Sequence, residues 1–147
     1  MKNRNLQHSD QWATPPDLYA KLNEVHHFNF DPCPLNPDPD FDGLRVEWGT
    51  SNFVNPPYSA KLKAAFVDKA IIELLKGKKS VFLLPVSTST SLFHDKILPN
   101  AYKIDFIKGR IRFGKLQDDN TVNFQGSGMF DSMIVTFCPS IKSINNG

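Results

Sequence analysis

Apolar residues in this chain recur at two spacings, one helical and one nearly continuous, and the switches between them mark out the elements. Leu18, Leu22 and Val25 form a helical stripe behind Thr14-Pro15-Pro16-Asp17. That opening predicts Thr14 as N-cap, Pro15 in the first helical position and Asp17 as the capping acid. His26-His27 ends the pattern, and Phe28-Asn29-Phe30-Asp31 reads as a short strand. The segment from Pro32 to Asp42 is irregular by its prolines and aspartates, and Leu44 to Trp48 reads as a short strand or a turn. Asn52-Phe53-Val54 is strand-like. Ser59 then caps a helix predicted to run to about Lys76 on Leu62, Phe66, Ala70, Ile71, Leu74 and Leu75, with Gly77 as its stop.

Val81 to Val86 is almost wholly apolar, as strands covered on both faces are. Thr88 to Leu98 predicts another short helix, stopped by Pro99. Tyr102, Ile104 and Phe106 alternate with polar residues in a less deeply covered strand, which Arg110 to Phe113 either continues or follows with a neighbour. Gly114 to Gly128 is polar and bounded by glycines, hence expected to be a mobile loop. Ser132 to Cys138 is a last apolar strand. Strands interleaved with helices indicate an α/β architecture on a mostly parallel sheet flanked by helices. One domain is expected over residues 12–139, between a flexible segment 1–11 and a loose tail 140–147.

The composition changes this picture little. A chain of 147 residues can bury about two-thirds of its unfolded surface, enough for one core. A hydrophobic share of 40% fits an ordinary globular protein, and a net charge of +2 permits nucleic-acid binding without arguing for it. Cys33 and Cys138 form neither a disulfide framework nor a metal-ligand spacing, which suits a reducing compartment. His26 and His27 have no cysteine or acid at metal spacing, so no metal is expected. The polar start and the lack of any run of ~18 apolar residues point away from a membrane and toward the cytoplasm.

The chemistry concentrates at Asn55-Pro56-Pro57-Tyr58, at the carboxyl end of a predicted strand, where open α/β sheets bind ligands. The Asn55 side-chain oxygen and the Pro56 carbonyl are acceptors for the two hydrogens of an exocyclic amine. The prolines keep the turn stiff, and Tyr58 offers a flat ring for stacking. The plainer reading is a proline turn that only ends a strand. Asp31-Pro32-Cys33-Pro34 sits after the first predicted strand, where a doubly wound fold places its cofactor loop. No Gly-rich phosphate cradle is present, so a cofactor with an amine or ribose hydroxyls fits better than a nucleoside triphosphate or NAD. An ordinary turn aspartate is the alternative for Asp31.

Trp12-x-Thr14-Pro15, Asp31-Pro32-Cys33, Asn55-Pro56-Pro57-Tyr58, Gly109-Arg110-Ile111-Arg112-Phe113 and the apolar strand after Ser132 together resemble the phage-type DNA N6-adenine methyltransferase (Dam-like) family. The resemblance spans roughly residues 10–139. It implies a reduced Rossmann-like fold, S-adenosylmethionine as cofactor, adenine in DNA as substrate, and a phage or prophage gene expressed in a bacterial host. By position it implies that Thr14, Pro15, Asp31, Pro32 and Cys33 line the cofactor site while Asn55, Pro56, Pro57 and Tyr58 hold the target base. Trp12 either stacks on the cofactor or anchors the amino-terminal segment. Asn55 follows Asp31 by only 24 positions, which leaves the acid for the cofactor ribose open among Asp40, Asp42 and Glu47, with Glu47 ranked first. Lys61, Arg110 and Arg112 either contact DNA phosphate or form solvated faces. The same tetrapeptide chemistry serves cytosine N4 or a protein glutamine, and a non-catalytic binding module is the reading of another class.

Overall fold

The computed structural model describes residues 11–124, 126 and 128–139; the predicted terminal segments fall outside these, apart from Gln11. In chain order its elements begin with β1 (Trp12–Ala13), α1 (Pro16–His26), β2 (Ser51–Val54), α2 (Ala60–Leu75) and β3 (Lys79–Pro85). A π-wound turn (Leu92–Ile97) then runs into α3 (Leu98–Asn100), followed by β4 (Lys103–Phe106), β5 (Gly114–Leu116), β6 (Val122–Asn123) and β7 (Ser132–Phe137).

The central sheet has the order β2-β3-β7-β4. β2 and β3 pair in parallel, whereas β7 is antiparallel to both of its neighbours. Three strands therefore share one direction, and β7 runs against them from between β3 and β4. The expected mostly parallel sheet is corrected to a mixed one. A parallel neighbour needs a long crossover, usually helical, and among the described residues no helix lies between Phe106 and Ser132. Phe28 to Asp31, expected as a strand, contributes only a single parallel bridge from Phe30 to Asn52.

A second sheet, β1-β5-β6, occupies the stretch expected to be a loop. β5 and β6 form a hairpin closed by Gln117–Thr121, with Asn120 at φ 67° and the Gln117 amide donating to the Thr121 carbonyl at 2.8 Å. β1 pairs antiparallel with β5, joining Trp12 to Lys115. Gly114 is where the hairpin closes most tightly, since a Cβ there would stand 2.4 Å from a Val122 methyl.

Side chains alternate across the central sheet as its pleat requires. Val54, Phe82, Leu84, Met133 and Val135 face α2 and the π turn, where Phe66, Val67, Phe93 and Ile97 complete one core. Phe53, Val81, Leu83 and Ile134 face the other way, onto Leu18 and Leu22 of α1 and onto Phe113. Val25, placed on the apolar stripe by spacing, is 71% exposed because α1 has turned past the core by its last turn. The third helix starts later than expected: the Thr90 hydroxyl accepts from the Phe93 amide, and the Leu98 amide reaches back to the Phe93 carbonyl.

One buried charge ties the sheet to α2. Glu73 is fully buried and accepts from Lys69 at 3.1 Å, Lys76 at 3.1 Å and the Trp48 amide at 3.1 Å, with Lys78 at 3.2 Å. Burial pushes its carboxyl up, but these donors outweigh that and hold it down at about 2. Glu73→Gln should destabilise the fold by about 3 kcal/mol in urea unfolding, because it strands three ammonium groups around a neutral amide. The native carboxylate's contribution is present above about pH 4.5 and lost as pH falls toward 2, so the variant should show a flatter acid limb.

Candidate active site

Strand direction gathers the predicted chemistry at one edge. Phe30, β2 and β3 run parallel, so Asp31, Asn55 and the chain after Pro85 all emerge at the carboxyl end of the sheet. Asp31, Cys33 and Asn55 line one cleft of about 150 Å³, together with Trp12, Ala13, Thr14 and Tyr19. A narrow slot of about 30 Å³ adjoins it through Gln11 and Cys33, walled by Pro32, Phe41, Asp42, Pro57, Leu62 and Phe66. The two motifs read from the sequence thus meet in space.

Asn55 is held in one orientation. Its Nδ2 donates to the Trp12 carbonyl at 2.7 Å and to Thr14 Oγ1 at 3.0 Å. Both amide hydrogens are spent, so the other end of the side chain must be the oxygen. Thr14 is therefore no helix cap; Pro15 stands at the start of α1 without a side-chain cap, and its carbonyl accepts from the Tyr19 amide at 3.1 Å. The Thr14 hydroxyl serves the Asn55 side chain instead.

Tyr58 lies within an aromatic cluster rather than as a bare platform. Trp12 stacks on it at 5.8 Å and 19°, while Phe113 and Phe130 meet it edge-on at 6.2 Å and 5.1 Å. Its hydroxyl is buried without a partner among the described residues, and burial raises its pKa. Trp12, left open between two roles, covers Tyr58 and separates the Asn55 cleft from a larger one of about 320 Å³ lined by Ile111, Phe113, Lys115 and Met129.

The Asp31 carboxyl accepts from the Cys33 amide at 2.8 Å, which closes the Asp-Pro-Cys turn. Asp31 stays open to solvent at the cleft, yet the atoms crowding its carboxyl raise its pKa to about 6. Cys33 is buried and its thiol is pushed up to about 12, first by burial and then by Asp31, so it is a wall and no nucleophile. Gly43 lies directly against this turn. A Cβ there would fall 1.7 Å from the Pro32 carbonyl oxygen, and backbone cannot yield that far.

Glu47 is corrected. It is exposed at the opposite, amino-terminal end of the strands, where Lys76 and Lys78 each approach it at 3.5 Å. Asp42 is the acid at the slot, its Oδ1 accepting from the Leu44 amide at 3.0 Å. Sequence spacing ranked it lower because the irregular Pro32–Asp42 segment offers no periodicity to show which side chain turns inward. Gln11, Phe41, Leu62 and Phe66 also line the slot and carried no motif. Lys61, Arg110 and Arg112 are exposed outside the cleft, Arg110 against Asp131 at 3.4 Å. Among the described residues no three His, Cys, Asp or Glu side chains cluster as metal ligands, and no helix is long and apolar enough to cross a membrane.

The cleft thus lies at the carboxyl edge of a mixed α/β sheet, with a fixed amide oxygen beside a diproline corner. The model of the DNA N-6-adenine-methyltransferase (Dam) family matches residues 2–145, and the chain belongs to that family. Its activity is methylation of adenine N6 in DNA. No curated protein sequence matches the chain.

Thr14→Val should lower the methylation rate about tenfold, since one of two bonds orienting Asn55 is lost, while Thr14→Ser should keep most of it. A Thr14→Val enzyme with an unchanged rate constant would remove this hydroxyl from the orienting role.

Proposed function

We propose that the chain binds S-adenosylmethionine across the Asp31 cleft and the Asp42 slot, and that Asn55 and Pro56 present adenine N6 of DNA to it. The observation that carries this reading is the pair of bonds from Asn55 Nδ2, which leaves Oδ1 as an acceptor beside Asp31. The residues fit the cofactor's chemistry. Asp31 offers a carboxylate to its ammonium group, Asp42 one to its ribose hydroxyls, and Phe41, Leu62 and Phe66 an apolar wall to its purine. No phosphate cradle is needed. Three strands of common direction with helices on both faces support a reduced Rossmann-like fold closed by a reversed β7.

Bound there, the cofactor supplies a methyl group on a positively charged sulfur. The protein's part is to hold the acceptor amine. Adenine N6 is a weak nucleophile because its lone pair is delocalised into the ring. Asn55 Oδ1 and the Pro56 carbonyl, neither with a donor among the described residues, would each accept a hydrogen bond from one N6–H and draw the nitrogen toward tetrahedral geometry, which localises its lone pair. As positive charge grows on N6, both oxygens bind it more tightly, which lowers the barrier selectively. The methylated nitrogen is acidic and loses its proton without a strong base. The adenine must leave the duplex, at a cost of a few kcal/mol, and stacking against the Trp12–Tyr58 pair offsets part of it. Arg110 and Arg112 on the exposed approach to β5, with Lys61 at the start of α2, would meet DNA phosphates. A cytoplasmic setting would bring DNA and cofactor together.

Labelled S-adenosylmethionine with DNA, followed by digestion to nucleosides, should place the label on N6-methyldeoxyadenosine; label on N4-methyldeoxycytidine would overturn the target. Asn55→Ala should reduce transfer by roughly a thousandfold while cofactor affinity holds within a few-fold. Near-normal turnover in that variant rejects the assigned role.

Cofactor binding should depend on pH through Asp31. Its carboxyl is raised in the empty protein, so a positively charged ligand must displace a proton below about pH 6. Affinity should rise with pH about tenfold per unit up to about 6 and then level off, and Asp31→Asn should flatten that limb in calorimetric titrations. For the empty fold the sign reverses: a raised carboxyl stabilises it below the ordinary carboxylate pKa, and that contribution is lost as pH climbs toward 6.

A further inference from the structure

A second cleft opens at the same edge of the sheet, on the far side of the Asn55–Tyr58 corner. It has a volume of about 220 Å³. Its floor is apolar: Leu84 from β3, Met133 from β7, and Phe93 and Ile97 from the π turn. Ser87 and Thr90 stand at its mouth, on the exposed chain that follows β3. Lys63, in the first turn of α2, is the single charged residue among the described ones that line it.

Lys63 is half-buried and has no carboxylate partner among the described residues. Asp68, one turn further along α2, is engaged by Lys96 at 3.1 Å. Burial lowers the Lys63 pKa, the direction expected for a cation set against apolar walls without a counter-ion. Neither Asp31 nor Asn55 lines the cleft, so it is distinct from the one that Asn55 faces. The cofactor carries a net positive charge, and a cleft whose charge among the described residues is the Lys63 ammonium disfavours it. DNA is the anionic partner at hand, and an unstacked base has a flat apolar face with a phosphate at its edge. The π turn forming one wall is the kind of helix irregularity that collects at functional sites.

We propose that this cleft holds one nucleotide of the DNA substrate other than the target adenine, its base on Leu84, Phe93 and Met133 and its phosphate on Lys63. The proposal rests on the reading that Asn55 faces the target amine. Binding here draws the strand past the corner and fixes which neighbour accompanies the target, so the cleft takes part in substrate choice.

Two measurements on the whole chain test it without requiring methyl transfer. In anisotropy titrations with a mixed-sequence duplex, Lys63→Met should weaken binding about tenfold at low salt. It should also reduce the slope of log affinity against log salt by about 0.9, the signature of one lost phosphate contact. Lys63→Arg should keep the native slope. An unchanged slope in Lys63→Met overturns the phosphate assignment. Methionine methyl resonances report on the base: Met133 lies in this cleft and Met129 in the cleft beside Trp12. Deoxyadenosine 5′-monophosphate should shift Met133 with about tenfold higher affinity than deoxyadenosine, and Ser87→Phe, a change at an exposed mouth position, should abolish the shift. A shift at Met129 alone, equal affinity for the two probes, or an unaltered response in Ser87→Phe each overturns the proposal. If the wild-type chain fails to methylate DNA, the active-site reading falls, while these binding results still decide the cleft.

Discussion

The two hydrogen bonds from Asn55 Nδ2 are the constraint on which the site depends. An asparagine amide has two ends of opposite character, and a free side chain would offer either to an incoming amine. The Trp12 carbonyl and the Thr14 hydroxyl remove that choice. Because Trp12 is itself paired to Lys115, the orientation of Asn55 is inherited from the small β1-β5-β6 sheet. Trp12 stacking on Tyr58 repeats the connection through a different interaction. The small sheet is thus a brace for the Asn55–Tyr58 corner as well as a covering for it.

Asn52, three residues earlier, shows what distinguishes the two asparagines. It is fully buried, and its side chain bonds to the Gly49 amide, the Gly49 carbonyl and the Lys79 carbonyl, which leaves it inert. Asn55 lies just beyond the strand end, with only its nitrogen committed. What sets Asn55 apart is incomplete satisfaction in one direction, its nitrogen bonded and its oxygen left as an acceptor. The Tyr58 hydroxyl is likewise unsatisfied, buried without a partner among the described residues in an otherwise closed aromatic cluster.

Charge is distributed to match. Glu73 and its three lysines sit at the amino-terminal end of the strands and hold the fold, and Glu47 joins them on the outside. Asp31 and Asp42 sit at the opposite end, beside the clefts. The two acids and Lys63 line different clefts, Asp42 the slot, Asp31 the Asn55 cleft and Lys63 the third.

Periodicity by itself determined the long elements: α2 with its Ser59 cap and Gly77 stop, and the doubly covered β3 and β7, because repeated apolar spacing survives whatever the packing. The Asn-Pro-Pro-Tyr and Asp-Pro-Cys segments were legible for the same local reason, their chemistry being written in adjacent residues. Strands of two or three residues carry no period, so the β5–β6 hairpin read as a loop and β1 went unseen. The direction of β7, the inward turn of Asp42, the outward place of Glu47 and the partner of Thr14 depend on which segments lie side by side across the chain. Only the tertiary structure decides those, because a hydrogen bond between residues 41 positions apart leaves no mark on the local pattern of either.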